Sequence, residues 1–443
     1  MLLIGNGRLI TRGCETVFWE DGCVRIEGGV IAEIGATSIL RAKYPKVEFL
    51  DARGGVIMPG FINMHHHIYS TFARGLSING YQPQNFLDIL SGLWWRLDRT
   101  LSLEDVKHSA YAAYLDCIKN GVTTVFDHHA SYGSVDGSLF AISDAAEEMG
   151  VRTCLCYEVS DRDGEEKMRQ AVLENASFIR ASLRDESDMQ KGMMGMHAAF
   201  TLSDAALDYC TANTPEDAGY HIHVAEGIDD VADSLKKYGK RVVNRLFDHG
   251  ILGEKTIAAH CIHINGLEMQ LLRETGTMVV HNPESNMGNA VGCPAVLELI
   301  KRGVLTGLGT DGYTSDMLES YKAANMLHKH HLCDSQAAWE EVPQMLFAHN
   351  AAMANRYFAK KLGVLETGAA ADVIVTDYIP PAPMQAGNVN AHILFGMNGR
   401  SVTSTVINGK VLMRDRQMTN ADEERLLARA REQAGSLWNR INA

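Results

Sequence analysis

From Val56 to about Leu362, the chain alternates apolar stretches of strand length with longer segments of helical periodicity. Near-continuous apolar strands are buried on both faces, which is typical of parallel strands covered by helices. The pattern predicts an α/β fold with a (β/α)8 TIM-type barrel, and a doubly wound open sheet is the alternative. The eight predicted strands are Val56 to His67, Val122 to His129, Val151 to Val159, Met193 to Phe200, Tyr220 to Glu226, Thr256 to Ile264, Met278 to His281 and Val304 to Asp311.

Both ends of the chain have a different texture, with short strands separated by turns. The Asn-Gly pair at 408–409 stands between two β-branched runs and predicts a two-residue hairpin. We expect residues 1–55 and 363–415 to pair as one small, discontinuous β-sandwich domain. Residues 56–362 would then form the barrel, and residues 416–443 a terminal amphipathic helix.

Composition limits the partners of this chain. A net charge of −13 over 443 residues argues against a nucleic-acid or anionic-membrane surface, because such surfaces need clustered Lys and Arg. The nine cysteines are scattered and include no Cys-x-x-Cys, which favours a reducing cytoplasm over a disulfide framework. We expect neither an export signal nor a membrane span, since no basic segment precedes a long apolar core. Small molecules remain the expected partners.

Histidines gather where the predicted strands end. In a regular strand His65 and His67 share one face and His66 takes the other, although an isolated His-x-His is more often a solvated cluster. Ten of the 18 histidines fall at strand ends, together with Glu226 and Asp311. In barrels of this type the active site is built from the carboxyl ends of the strands. Any one of these histidines alone could be an ordinary core residue, but their joint placement at strand ends makes that improbable for the whole set. The ten are His65, His67, His128, His129, His197, His221, His223, His260, His263 and His281.

Five segments, taken in order, resemble the amidohydrolase superfamily in its chlorohydrolase and nucleobase-deaminase branch. The resemblance covers nearly the whole chain and is closest to the aminohydrolase group called SsnA. The segments are Pro59-Gly60-Phe61-Ile62-Asn63-Met64-His65-His66-His67, His221-Ile222-His223-Val224-Ala225-Glu226, Ala258-Ala259-His260-Cys261-Ile262-His263, His281-Asn282-Pro283-Glu284-Ser285-Asn286 and Leu308-Gly309-Thr310-Asp311.

The resemblance implies a metal centre. It makes His65, His67 and His223 ligands and Asp311 the carboxylate that binds metal and takes a proton from water. Three imidazoles, a carboxylate and an open position suit a catalytic site for zinc, with iron or manganese as alternatives. Binuclear members of the superfamily use a carboxylated lysine on strand four; Lys191 lies at the wrong end of that strand, so one divalent ion is expected.

The same resemblance assigns acid and base groups. Glu226 would shuttle the proton to a substrate nitrogen, and His260 would hydrogen-bond the water or the developing oxyanion. Glu226 follows His223 by three residues and would face the opposite side of a regular strand. The assignment therefore requires the chain to leave the strand before Glu226.

Four further residues are candidates for contact with the substrate. His197 resembles the strand-four histidine that touches substrate in the family, and a core histidine is the alternative. His281 could line the site or only hold the following turn. His129 belongs to a His128-His129 pair of which one must point away from the barrel mouth. Trp95 lies in a segment that could cover a ring, with simple helix packing as the alternative.

These residues predict a metal-dependent hydrolase of a carbon–nitrogen bond in a heterocycle. The favoured reaction is deamination of a purine-like or pterin-like ring, and opening of a cyclic amide is the alternative. A non-catalytic binding homologue is the alternative of another class, although it predicts loss of Asp311, Glu226 or His260, and all three are present. The family often forms dimers, which makes a homodimer an expectation.

Overall fold

The computed structural model describes residues 1–13 and 17–443. Its strands belong to three hydrogen-bonded sheets of nine, five and four strands. The strands are β1 (Leu2–Ile10), β2 (Phe18–Glu27), β3 (Val30–Ala36), β4 (Glu48–Asp51), β5 (Val56–Pro59), β6 (Phe61–His66), β7 (Val122–His129), β8 (Arg152–Tyr157), β9 (Gln190–Gly192), β10 (Met194–Ala198), β11 (Tyr220–Val224), β12 (Ile257–His260), β13 (Met278–His281), β14 (Thr306–Leu308), β15 (Val373–Thr376), β16 (Val402–Ile407), β17 (Lys410–Arg414) and β18 (Gln417–Met418).

Helices connect and cover the strands. None of those described is long and apolar enough to cross a membrane. The α-helices are α1 (Thr37–Lys43), α2 (Phe86–Ile89), α3 (Trp95–Thr100), α4 (Leu103–Lys119), α5 (Ser138–Met149), α6 (Glu165–Ser182), α7 (Asp204–Asn213), α8 (Ile228–Tyr238), α9 (Val242–Asp248), α10 (Gly266–Thr275), α11 (Pro283–Gly288), α12 (Val296–Lys301), α13 (Met317–Leu332), α14 (Glu341–Pro343), α15 (Asn350–Ala354), α16 (Val389–Gly396) and α17 (Glu423–Asn442).

Two parallel sheets supply the arcs of the barrel. One has the order β6-β7-β8-β9 and the other β10-β11-β12-β13-β14. Isolated parallel bridges pair His66 with Asp311 and Val159 with Met196. The carboxyl ends of these nine parallel strands, of which β9 and β10 follow each other directly in the chain, lie on one side of the molecule, as in a TIM-like barrel.

The predicted strand Val56 to His67 is two strands in the structure. β5 runs antiparallel to β15 in the nine-stranded sheet, whereas β6 begins the barrel beside β7. Gly60 separates them, and a Cβ there would lie 2.1 Å from Thr123 Cγ2, so only glycine allows this approach. The single-strand prediction was wrong because its apolar pattern runs unbroken through the change of sheet.

Strands from both ends of the chain share the nine-stranded sheet, in the order β18-β17-β16-β15-β5-β1-β2-β3 with β4 beside β1. The Asn408-Gly409 turn joins β16 to β17 with positive φ at both residues, 47° and 78°, which confirms the predicted hairpin. Eight cysteines among the described residues are free thiols, and Cys14 lies outside those residues.

The C-terminal segment differs from the predicted helix over residues 416–443. Gln417 and Met418 form β18 against β17, and α17 begins only at Glu423, where the Asp422 side chain accepts a hydrogen bond from Arg425 N. The helix is held against the barrel by its far end, where Trp438 Nε1 donates to the carbonyl oxygen of Phe72 at 2.7 Å.

A buried ion pair joins the barrel to the nine-stranded sheet. Arg152, at the start of β8, is fully buried and pairs with Asp372, which directly precedes β15. The guanidinium also donates to the carbonyl oxygen of Asp188 at 3.3 Å, and Asp372 accepts from Asn408 N at 2.8 Å. Removing one partner of such a pair leaves a buried charge without compensation.

Asp372→Asn should therefore lower the free energy of unfolding by about 3–5 kcal/mol, as measured by urea unfolding followed by circular dichroism. Asp415→Asn is the matched control, because it breaks only an exposed ion pair with Arg53 (3.2 Å) and should change stability far less. Equal losses in the two variants would contradict a structural role for the buried pair.

Candidate metal and active site

Three predicted ligand histidines converge at the carboxyl ends of β6 and β11. His65, His67 and His223 are buried, and one ring nitrogen of each lies within 4.8 Å of the other two. His67 Nε2 and His223 Nε2 are 3.2 Å apart. Three imidazole nitrogens at this spacing can bind a single metal ion together.

Hydrogen bonds at Nδ1 determine which nitrogen of the His67 and His223 rings carries the hydrogen. His67 Nδ1 donates to the carbonyl oxygen of His128 at 2.5 Å, and His223 Nδ1 donates to that of His197 at 2.9 Å. Each ring therefore keeps a lone pair on Nε2. His65 Nδ1 lies 2.8 Å from His221 Nε2, and its own Nε2 is buried without a hydrogen-bond partner among the described residues.

Burial also lowers the pKa of all three imidazoles, well below the ordinary value for His65 and His223. The neutral form is the one that binds a metal ion. The three rings are thus prepared as ligands, and the unpaired Nε2 of His65 is the atom that a bound ion would satisfy.

Asp311 adds a carboxylate to the cluster. It follows β14 with a φ of 55°, and its Oδ1 and Oδ2 lie 3.4 Å from His67 Nε2 and 3.9 Å from His65 Nε2. Burial raises the pKa of Asp311, but the neighbouring His67 and His260 outweigh burial and hold it below its usual range. An ionised carboxylate beside three neutral imidazoles fits a divalent ion such as zinc.

Glu226 reaches the site because β11 ends early. The strand stops at Val224, and Ala225 adopts a left-handed φ of 47°, so the chain leaves the strand as the position of Glu226 requires. Glu226 Oε2 lies 3.6 Å from His260 Nε2, and its Oε1 accepts from Asn289 Nδ2 at 3.4 Å. Burial raises the pKa of Glu226, which suits a group that gives and takes protons near neutral pH.

His260 stands between the two carboxylates. Its Nε2 lies 3.3 Å from Asp311 Oδ2, and its Nδ1 donates to Asn286 Oδ1 at 2.8 Å. Burial lowers the pKa of His260, but Glu226 and Asp311 outweigh burial and raise it. The ring can therefore donate a hydrogen bond from Nε2 into the space between the carboxylates.

An open cavity of about 480 Å³ lies over this cluster and combines aromatic walls with convergent polar groups. The predicted contacts His197 and Trp95 both line it. Burial lowers the pKa of His197 to about 4, so its ring is neutral at neutral pH. The lining residues are His67, Tyr69, Ser70, Phe86, Leu90, Trp94, Trp95, Glu158, His197, His223, Glu226, Asn289, Asp311 and Gly312.

The other two predicted substrate contacts lie behind the wall of the cavity. His129 is fully buried, with Nε2 2.9 Å from Ser131 Oγ. His281 is also fully buried; its Nε2 is 3.2 Å from His328 Nε2 and its Nδ1 is 3.4 Å from Asn286 Nδ2. Among the described residues, neither histidine belongs to the lining, so the structure places them in supporting positions.

His128 is equally buried, and its carbonyl oxygen accepts the hydrogen bond from the ligand His67. Its Nε2 donates toward the carbonyl oxygens of Met196 and His221, at 3.1 and 3.2 Å. His66 lies on the opposite face of β6 from the ligands, with Nε2 3.3 Å from Ser315 Oγ. The alternation expected along strand one is therefore observed.

Sequence reasoning missed Glu158, Asn286 and Asn289. Glu158 directly follows β8, so its place at the end of the third strand was a usable signal. The asparagines lie in and beside the short helix α11, after the His-Asn-Pro motif, and only their contacts with His260 and Glu226 single them out.

The model of the Amidohydrolase family matches residues 56–412 of this chain. The chain belongs to the amidohydrolase family. A 5'-deoxyadenosine deaminase from Methanosarcina mazei is 32% identical over 448 residues, covering 100% of this chain and 99% of the relative. A 5-methylthioadenosine/S-adenosylhomocysteine deaminase from Pelotomaculum thermopropionicum is 31% identical, covering 99% of each chain.

Solved structures share the fold of this amidohydrolase at lower identity. A zinc-bound adenosine deaminase from Xanthomonas campestris has a TM-score of 0.86 at 23% identity and covers 98% of both chains. Guanine deaminase from E. coli has a TM-score of 0.79 at 19% identity, covering 94% of this chain and 100% of its own. The predicted family, and with it the prediction of a hydrolase of carbon–nitrogen bonds, is confirmed.

Proposed function

We propose that this amidohydrolase is a metal-dependent aminohydrolase that releases ammonia from a purine-like ring. The observation that carries the proposal is the grouping of Glu226, His260 and Asp311 around one point beside three prepared histidines. The deaminase names of its full-length relatives support the reaction class, and those relatives point to adenosine derivatives as substrates.

Each residue has a distinct task in this reaction. His65, His67, His223 and Asp311 would hold one divalent ion, for which zinc is the leading candidate. When bound, such an ion acts as a Lewis acid that brings the pKa of water to about 7. Asp311 accepts the proton of the attacking water, and His260 hydrogen-bonds the oxygen on which negative charge develops.

Glu226 is the proton shuttle to the substrate nitrogen. Its raised pKa lets it carry a proton near neutral pH and deliver it to the leaving amino group. Asn289, which donates to Glu226 Oε1, keeps the carboxyl group turned toward the cavity. The aromatic wall, including Trp95, gives the flat ring an apolar surface to pack against.

The same proposal includes the organisation of the molecule. We infer a (β/α)8 barrel that carries the site and a separate small β domain made by both ends of the chain, with Val56–Pro59 added to the latter. A homodimer in the cytoplasm remains the expected state, and analytical ultracentrifugation tests the dimer.

Ammonia release tests the reaction. Zinc-loaded protein should release ammonia from at least one adenine or guanine compound, whereas loss of ring absorbance without ammonia would favour opening of a cyclic amide. Absence of turnover with a panel of both kinds of ring would contradict the proposed function.

A further inference from the structure

Glu158 is a buried carboxylate on the cavity wall that the proposed reaction leaves unused. Its side chain is 4% exposed and lines the cavity beside His197 and Trp95. Its backbone is held at both ends, because Glu158 N donates to the carbonyl oxygen of His129 at 2.7 Å and Tyr132 Oη donates to the carbonyl oxygen of Glu158 at 2.8 Å. The carboxylate is therefore presented from a rigid support.

Two ring nitrogens lie close to this carboxylate. Glu158 Oε2 lies 3.5 Å from His128 Nδ1, and Oε1 lies 3.7 Å from His197 Nε2. Both distances exceed those of ordinary hydrogen bonds, so His128, the closer of the two, is at most a weak donor to this carboxylate. A buried carboxylate normally accepts several hydrogen bonds, so these acceptor positions remain to be filled.

The orientation of the His128 and His197 rings explains why the Glu158 carboxylate lacks short hydrogen bonds. His197 Nδ1 donates to Thr201 Oγ1 at 2.7 Å, because that hydroxyl already donates to the carbonyl oxygen of Ala198. His128 Nε2 donates toward the carbonyl oxygen of Met196. The neutral His197 ring thus has its lone pair on Nε2, the atom that faces Glu158, and His128 Nδ1 stays 3.5 Å from the carboxylate. Because the carboxylate lines the cavity, a molecule bound there can supply the missing donors.

A second metal ion is a poor occupant of this position. Glu158 belongs to two groups of residues that could hold a metal ion, one with His67 and His128 and the other with His197 and His223. Each group includes one of the proposed ligands His67 and His223. Both imidazoles donate from Nδ1 to a backbone carbonyl and have a single lone pair, on Nε2, which the three-histidine site already uses. The remaining occupant is a substrate with hydrogen-bond donors.

Glu158 also lies on the other arc of the barrel from the acid and base groups. It follows β8 of the four-stranded arc, whereas Glu226, His260 and Asp311 follow or end strands of the five-stranded arc. A substrate that contacts both groups would reach across the cavity that Glu158 and Glu226 line together. Its reacting carbon would lie toward Glu226 and a different part of the molecule toward Glu158.

We propose that Glu158 is a specificity-determining residue that accepts hydrogen bonds from N–H or O–H groups of the substrate remote from the reacting carbon. This inference rests on the proposed function for the location of the reacting carbon. Two sources share the required chemistry: a ring N–H of a free purine base, and a sugar hydroxyl of a nucleoside.

Two ligand pairs distinguish the sources. The first pair is 5'-deoxyadenosine and its 2',3',5'-trideoxy analogue, and the second is guanine and 9-methylguanine, which lacks the N–H of the imidazole ring. Dissociation constants are measured by calorimetry on zinc-loaded protein that carries Glu226→Gln to prevent turnover, with and without Glu158→Gln. We expect the protein with Glu158 to prefer the donor-bearing member of one pair by about 10- to 100-fold. Glu158→Gln should remove most of that preference, because its amide places a donor where an acceptor is needed.

Glu174→Gln is the matched control. Glu174 is a buried glutamate of α6 that accepts hydrogen bonds from Gly137 N and Leu139 N, and it is not among the described lining residues. This variant should keep the preference. A Glu158→Gln protein that also keeps it, or a parent protein without preference in either pair, would overturn the inference.

Two further measurements distinguish this inference from the proposed reaction and from a role of Glu158 as a metal ligand. Ammonia release by protein with Glu226 intact tests the proposed function alone, so a preference that depends on Glu158 without any ammonia release would refute only the reaction. Zinc content of Glu158→Gln should equal that of the parent protein. A loss of bound zinc would identify Glu158 as a ligand and overturn its assignment to the substrate.

Discussion

Asp311→Asn should lower kcat for ammonia release by about 10³-fold or more while leaving the fold intact. An amide has nearly the same shape as the carboxylate but carries no charge and accepts a proton poorly. It would weaken the site facing His65 and His67 and leave the attacking water without its proton acceptor. Steady-state ammonia release, circular dichroism and zinc content measure the three consequences.

Asp316→Asn is the control for this substitution. Asp316 lies five residues further along, and its side chain accepts hydrogen bonds from Leu318 N and Glu319 N at the start of α13. Asparagine caps a helix as well as aspartate and loses only the bond that Asp316 Oδ2 accepts from Gly399 N, which lies outside the site, so activity should stay close to that of the parent protein. An Asp311→Asn protein that retains its zinc and more than a tenth of the parent kcat would contradict the role given to Asp311.

Removal of the divalent ion should abolish turnover and lower the unfolding temperature. Without the ion, His65 Nε2 is a buried nitrogen with no hydrogen-bond partner among the described residues, and the largely buried Asp311 carboxylate faces the neutral rings of His65 and His67 with no cation between them. An ion present at about 1,000 times its dissociation constant stabilises the folded state by about 4 kcal/mol. Dialysis against a chelator followed by thermal unfolding and ammonia assays measures both effects.

Zinc restoration completes this experiment. One equivalent per chain should restore the rate and the unfolding temperature together, and parallel additions of iron and manganese test the alternatives to zinc. A His263→Ala protein is the control, since His263 Nε2 donates to the carbonyl oxygen of Val291 at 2.9 Å, outside the cluster, and the variant should keep its metal. Full turnover by metal-free protein would refute a metal-dependent reaction.

Some expectations failed where one sequence pattern served two structural purposes. The run from Val56 to His67 is apolar throughout, yet the chain changes sheets at Gly60 because Thr123 approaches its backbone too closely for any side chain. His129 and His281 stand at strand ends, as His65 does, but their rings contact Ser131 and His328 instead of the cavity. Position along a strand does not determine which way a side chain faces at its end.

The sequence by itself determined the alternation of strands and helices, the family and the residues His65, His67, His223 and Asp311 as candidate ligands. Those features lie in short motifs at strand ends, where local spacing and chain order carry the information. Only the tertiary structure placed Glu158 in the cavity wall with unfilled acceptor positions. That property depends on how far the rings of His128 and His197, from other strands, stand from the carboxylate, and no local pattern encodes it.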